Sequence, residues 1–163
     1  MKQYEEQLSP EALLLDEYLS RYKRCIRRKH TLEHRKNDII REFNHPLKSV
    51  SYDGMPRGNG GSLGCASLSF RLDEIETRIN EQIEKSVKVL TEIMNIIEFL
   101  PSDSMERAII EHRYIDCMKW WQICKEENLS RTPANNYWKK GLYKLLEYKK
   151  VQMIVKEYEE NAE

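Results

Sequence analysis

Five of the six glycines fall between residues 54 and 64, inside the stretch "SVSYDGMPRGNGGSLGCAS". A chain with 6 glycines and 5 prolines in 163 residues has few other places to turn sharply. Elsewhere Leu, Ile, Glu and Lys recur at helical spacing, and no alternating segment long enough to be a strand appears. The fold class is therefore all-α, in one or two small domains.

The sequence on either side of the glycines reads as two long helices. Ser9 can cap the first, Pro10 suits its first position, and Glu11 places an acid where the helix dipole favours one. Tyr18, Tyr22, Cys25, Lys29, Leu32, Lys36, Ile39 and Phe43 then alternate at spacings of four and three, a heptad seam holding two lysines. His45-Pro46 should end it, since a residue before proline leaves the helical region. The stretch 45–67 is a flexible Gly-rich loop. The second helix is expected from about Ser67 to Leu100, with Leu68, Leu72, Ile75, Ile79, Ile83, Val87, Leu90, Ile93, Ile97 and Leu100 on its apolar face. Each helix comes to about 34 residues, or roughly 50 Å. Matched lengths around one loop predict a long antiparallel helical hairpin over residues 1–100.

Charge fits this pairing. Residues 21–36, "RYKRCIRRKHTLEHRK", hold eight Lys and Arg against one Glu. The facing "RLDEIETRINEQIEK" carries Asp73, Glu74, Glu76, Glu81 and Glu84. Folding about the loop brings Arg27 and Arg28 near Glu81 and Glu84. Intramolecular pairing with solvation is the favoured account of the basic run. The alternative is a surface that tracks a DNA backbone.

Several chemistries are excluded or disfavoured. Lysine plus arginine equals aspartate plus glutamate, 27 each, so no whole-protein basic field exists. The charged N-terminus is neither signal peptide nor membrane anchor, which predicts a cytoplasmic protein with no membrane partner. Cys25, Cys65, Cys117 and Cys124 form no CxxC pair, and incidental thiols in a reducing compartment are favoured over a metal or disulfide role. In "HTLEH", Glu33 stands before the second histidine rather than after the first, so His30 and His34 read as a solvated face, with no metal site. The glycine loop lacks the Gly-Lys-Ser/Thr ending and the strand of a phosphate loop. No nucleophile, base and orienter come together, and neither an enzyme activity nor a cofactor is expected.

Residues 101–163 read as three short helices and a helical tail. The first runs over about Ser104–Tyr114, with Ser102 or Ser104 as cap and Met105, Ala108, Ile109 and His112 on one face. The second covers about Lys119–Glu127, with Trp120, Ile123 and Cys124 inward. The third starts with Ser130 as cap and passes Leu145. Asn128 sits where a helix-turn-helix needs a positive φ, and asparagine is the next cheapest choice after glycine. Leu129 and Leu142, with Tyr137 or Trp138, can complete a core with Ile109, Trp120 and Ile123. The start of the third helix is rich in hydrogen-bonding side chains rather than apolar anchors. A helix entering the major groove needs that: Arg can bridge two acceptors on guanine, Asn can do so on adenine, and the amides near Ser130 can take a phosphate. Lys139, Lys140 and Lys144 suit contacts to the DNA backbone.

The stretch "ERAIIEHRYIDCMKWWQICKEENLSRTPANNYWKKGLYKL" resembles sigma-70 region 4, and the chain over about residues 12–147 resembles late transcriptional regulators of phages and prophages, the ArpU and RinA-like group. The loop match rests on Tyr52, Met55, Pro56, Gly58 and Gly60. The resemblance implies an activator of phage late genes in a bacterial host, with double-stranded DNA as its partner and host RNA polymerase as a second candidate partner. Carried over by position, the groove-facing residues are Arg131, Thr132, Pro133, Asn135 and Asn136. Lys119 stands where that pattern has a Ser or Thr cap, Glu127 where it has leucine, and Trp121 where it has an exposed acid. Trp121 is either a protein-contact residue or a core residue. Two alternatives stay open: a phage packaging protein of the terminase small-subunit type, and an interaction adaptor that does not read DNA. A homodimer, joined through the hairpin or the tail "LLEYKKVQMIVKEYEE", is also open.

Overall fold

The computed structural model describes residues 8–44 and 61–161. These residues form seven helices and no strand, as the all-α expectation had it. They are α1 (Pro10–Leu19), α2 (Arg21–Asn44), α3 (Gly61–Ile97), α4 (Met105–Tyr114), α5 (Trp120–Glu126), α6 (Arg131–Leu146) and α7 (Lys149–Glu160). No helix among them is long and apolar enough to cross a membrane.

The start of α1 follows its local chemistry. Ser9 Oγ accepts from the Ala12 amide, Pro10 opens the helix and Glu11 lies in the first turn. The single long helix expected from here is interrupted at Ser20. The Ser20 amide still donates to Asp16 and the Arg24 amide to Ser20. Between them the Tyr18 carbonyl accepts from Arg21 Nε at 3.1 Å, so a side chain takes an acceptor that the ladder would otherwise use.

The Gly-rich loop lies outside the described residues as far as residue 60, and with it the loop match at Tyr52, Met55, Pro56, Gly58 and Gly60 and the His45-Pro46 stop. From Gly61 the chain is already helical, six residues before the expected start at Ser67. Extending a formed helix costs far less than nucleating one, which carries α3 back through a glycine-containing segment.

The chain divides into two compact units, Met1–Arg24 with Ser86–Glu163, and Cys25–Lys85. Both divisions fall inside long helices, in α2 between Arg24 and Cys25 and in α3 between Lys85 and Ser86. In the Cys25–Lys85 unit, α2 and α3 run antiparallel: Gln82 Nε2 donates to the Cys25 carbonyl at 3.3 Å, and Lys36 Nζ meets Glu76 Oε1 at 2.6 Å. Leu32, Ile75 and Ile79 form its small apolar cluster, with Ile39 against it. From Ile75 the buried positions along α3 are Ile79, Gln82, Ser86, Val89, Ile93 and Ile96, alternating in steps of four and three, with Ile97 also buried at the helix end. Ile83 and Val87, expected inside, are 38% and 56% exposed. Repeated steps of four carry side chains about 40° further round the helix each time, so a seam of fours walks off the buried face.

In the other unit α1 packs on α6 and α7, and α4 on α6. Leu15, Leu19, Ile93, Ile96, Ile97 and Leu100 are buried with Ile109, Ile123, Leu142 and Leu145. Each such aliphatic side chain contributes about 1.5–3 kcal/mol relative to exposure. Tyr18 meets Tyr158 edge-on at 5.3 Å, and Arg21 lies over the Tyr18 ring at 3.7 Å while pairing with Glu92 at 2.7 Å. The tail helix α7 buries Val151 and Val155, so much of the stripe that was open to a second chain is covered from within.

Candidate nucleic-acid interface

The three helices α4, α5 and α6 begin and end where local chemistry directs. Ser104 Oγ accepts from the Arg107 amide at 3.3 Å and starts α4. The chain leaves α4 through Asp116 to Glu111 and Met118 to His112 backbone bonds, with Cys117 at φ 56. That second left-handed residue had no glycine or asparagine to announce it. At Lys119, the cap of α5, the backbone amide donates to Gln122 Oε1 at 2.8 Å, so the third residue of the helix stands in for a hydroxyl cap.

Asn128 ends α5 as its residue type allows, at φ 52. The Leu129 amide donates to the Cys124 carbonyl and the Asn128 amide to that of Lys125, the two bonds of a Schellman ending. This reverses the chain within residues 127–130 and starts α6. Ser130 holds the cap position without a side-chain cap bond.

The inward face of α6 is Ala134, Asn135, Trp138, Gly141, Leu142, Leu145 and Leu146. Trp138, not Tyr137, fills the core. A Cβ on Gly141 would come 2.4 Å from Ile110 Cδ1 and 3.3 Å from Glu106 Cβ, so a glycine is what lets α4 and α6 approach here. Trp138 Nε1 donates to the Tyr114 hydroxyl at 2.8 Å, and Tyr114 donates in turn to Asp16 Oδ1. Burial first, and the Asp16 charge second, hold the Tyr114 phenol well above its ordinary range.

Two charged groups brace the same assembly. Glu106, 5% exposed, accepts from Lys144 Nζ at 2.8 Å and lies 3.4 Å from Lys140 Nζ. The Lys144 hydrogen bond outweighs burial and lowers the Glu106 pKa. His112 spans Asp116 Oδ2 at 2.8 Å and Glu127 Oε1 at 2.9 Å, tying α4 to the end of α5. Burial opposes charge on its ring, yet the bonds and charges of Asp116 and Glu127 together raise its pKa.

The residues expected to face DNA separate into four groups. Ser130, Arg131, Thr132 and Asn136 are exposed. Arg131 lies over the Trp120 ring at 4.6 Å, a stacked pose that holds its guanidinium at the start of α6. Pro133 and Lys139 are half-buried, and Lys139 already has an interaction partner. Lys140 and Lys144 are drawn to Glu106 rather than standing clear. Asn135 is a correction: at 8% exposure it points inward. It lies one turn before Trp138 on the face that Trp138 and Leu142 define, so the helix period takes it into the core. Trp121, at 64% exposure, is a surface residue.

Sequence reasoning missed Arg113, Tyr143 and Glu106. Arg113 sits 4.6 Å from the Trp120 ring and 5.5 Å from Trp138, and its Nε is buried without a hydrogen-bond partner. Tyr143 shares the outer side of α6 with Thr132 and Asn136, and its hydroxyl accepts from the Ser9 amide at 3.2 Å. Gly141, a glycine inside a helix, was the signal for the close approach that makes Glu106 an inner residue.

No curated protein and no solved structure matches the chain. Residues 66–146, which enclose α4 to α6 and most of α3, match the model of a family described as a protein of unknown function, DUF1492.

Proposed function

We propose that the chain is a sequence-specific DNA-binding regulator, an activator of phage late genes of the ArpU and RinA-like kind acting in the cytoplasm of a bacterial host. In this reading α5, the Asn128 turn and α6 are a helix-turn-helix of the sigma-70 region 4 type, with α6 in the major groove of double-stranded DNA. The observation that carries it is the polar, outward start of α6: Arg131, Thr132 and Asn136 stand exposed just after a Schellman turn. Arg131 and Asn136 are the base-reading residues of this proposal, Arg for guanine and Asn for adenine. Trp121, exposed on α5, is its contact for host RNA polymerase.

The adaptor reading draws on one specific observation, the capture of Lys140 and Lys144 by Glu106, which reduces the positive charge left for phosphates. One experiment separates the two. Fragments of the source genome are selected for binding at about 150 mM salt, where non-specific binding is weak, beside an Arg131→Ala/Asn136→Ala variant. Recovery of one short site upstream of a gene block, lost in the variant, supports the regulator. No enrichment with either protein sinks direct readout and favours the adaptor or packaging reading. A ring-like oligomer in solution points instead to a packaging role.

A further inference from the structure

Within the Cys25–Lys85 unit, α2 and α3 enclose a groove of about 610 Å³ whose rim is formed by Arg27, Arg28, Arg35, Arg78 and Lys85, with Glu81 the single acid among them. The sequence offered these arginines ready partners, and the hairpin does bring Arg27 and Arg28 to the same groove as Glu81. The pairs do not form. Among the described residues Glu76 is taken by Lys36 at 2.6 Å and Glu74 by Arg78 at 2.6 Å, while Arg27, Arg28, Arg35 and Lys85 make no ion pair. Arg27, Arg28 and Arg35 are also exposed, so their charge faces solvent without an internal purpose.

We propose that this groove is a second nucleic-acid site, which grips the phosphate backbone of double-stranded DNA irrespective of sequence. Arg27 and Arg35 are eight residues apart on one face of α2, a span of about 12 Å. At about 3.4 Å of duplex axis per phosphate on one strand, that length matches three to four phosphates. Arginine forks donate two parallel N–H bonds to phosphate oxygens, and four of the five cations are arginine. The floor argues against an acidic protein segment as occupant. Leu32 is the one aliphatic side chain lining it, beside Gln82, and protein interfaces rely on buried apolar anchors whereas DNA interfaces are polar and cationic. Glu81 limits the grip by repelling a phosphate at mid-groove. The proposal concerns a different surface from α6 and does not require α6 to read bases.

The test measures binding of a random-sequence 20-base-pair duplex by anisotropy between 50 and 200 mM salt, for the full chain and for Arg27→Gln/Arg28→Gln/Arg35→Gln. Glutamine keeps helix propensity, and helical content and melting temperature are followed as folding controls. Loss of three phosphate contacts lowers the salt slope by about 3, so over that range the parent loses about 40-fold more affinity than the variant. An Arg131→Ala/Asn136→Ala variant should keep at least that groove share of the slope. A parental slope in the folded arginine variant overturns the groove and leaves α6 untouched. Displacement of the duplex by polyglutamate at the same charge concentration as a competitor duplex also overturns it, in favour of an acidic protein partner. No binding to the random-sequence duplex overturns this site, while the reading of α6 stands or falls by the fragment selection.

Discussion

The indole of Trp138 and the hydroxyl of Tyr114 meet at 2.8 Å between α6 and α4, and the same hydroxyl reaches Asp16 on α1. Three helices thus share one buried oxygen. Tyr114→Phe leaves the Trp138 donor and the Asp16 acceptor without it. The expected loss is about 1–3 kcal/mol, the cost of stranding buried polar groups. For a chain of this size each kcal/mol moves the melting temperature by about 2–4 °C. A thermal melt indistinguishable from the parent would show that the relay contributes nothing.

Glu106 holds Lys144 and Lys140, so Glu106→Gln should act in two opposite directions. Stability falls by about 1.5–3 kcal/mol, the range for charge-assisted hydrogen bonds. Affinity for duplex DNA rises, with a salt slope steeper by up to about 2, because two lysines become available for phosphates. Because the folded pKa of Glu106 is lowered, its contribution is present above the unfolded carboxylate value and lost as pH falls through the folded one. Denaturation at pH 7 and pH 3, parent against variant, checks the sign; a gap that widens toward acid would refute the assignment.

His112 has the reverse dependence. Its pKa is raised in the folded state, so its stabilisation is complete below the ordinary value of 6.5 and fades as pH rises through the folded pKa. The stability difference between the parent and His112→Gln should be largest at pH 5.5 and smallest at pH 9. Comparing the two proteins at each pH cancels the other three histidines. Equal differences at both pH values would mean that the ring is held neutral.

Gly141 and Ile110 form a size-matched pair. Gly141→Ala gains helix propensity of about 1 kcal/mol but drives a Cβ into Ile110 Cδ1. Ile110→Val removes that methyl. The two substitutions should therefore couple favourably, the double variant being more stable than the sum of the singles by about 1 kcal/mol in denaturant midpoints. Additive effects would show that α4 and α6 separate freely at this point.

The sequence made some of these features readable and concealed others, for physical reasons. The start of α4 and the end of α5 were legible because Ser104 and Asn128 act through bonds three residues away. The α3 seam was misread at Ile83 and Val87 because residue type pointed inward while the heptad period placed Gln82 and Ser86 there. The break at Ser20 depends on Arg21 capturing the Tyr18 carbonyl, a choice between acceptors that no composition reveals. Asn135 followed the phase of Trp138 rather than its own polarity. The groove arginines were recognised as a basic run, but whether Glu81 or Glu84 would neutralise them depended on helix rotation by a fraction of a turn.

The unit that carries α6 is assembled from two chain segments, separated in sequence by residues 25–85. During synthesis α1 leaves the ribosome first and waits for α6 and α7, its packing partners, until the last helices are made. Its apolar side, Ala12, Leu15 and Leu19, stays uncovered for that interval. The hairpin closes over a shorter stretch of chain, so its loop-closure cost is met early and α1 is then brought toward the late helices at a higher local concentration. Closing the hairpin shortens the effective loop between α1 and α6, so the loop-closure cost of the surface on α6 depends on a hairpin that does not form it.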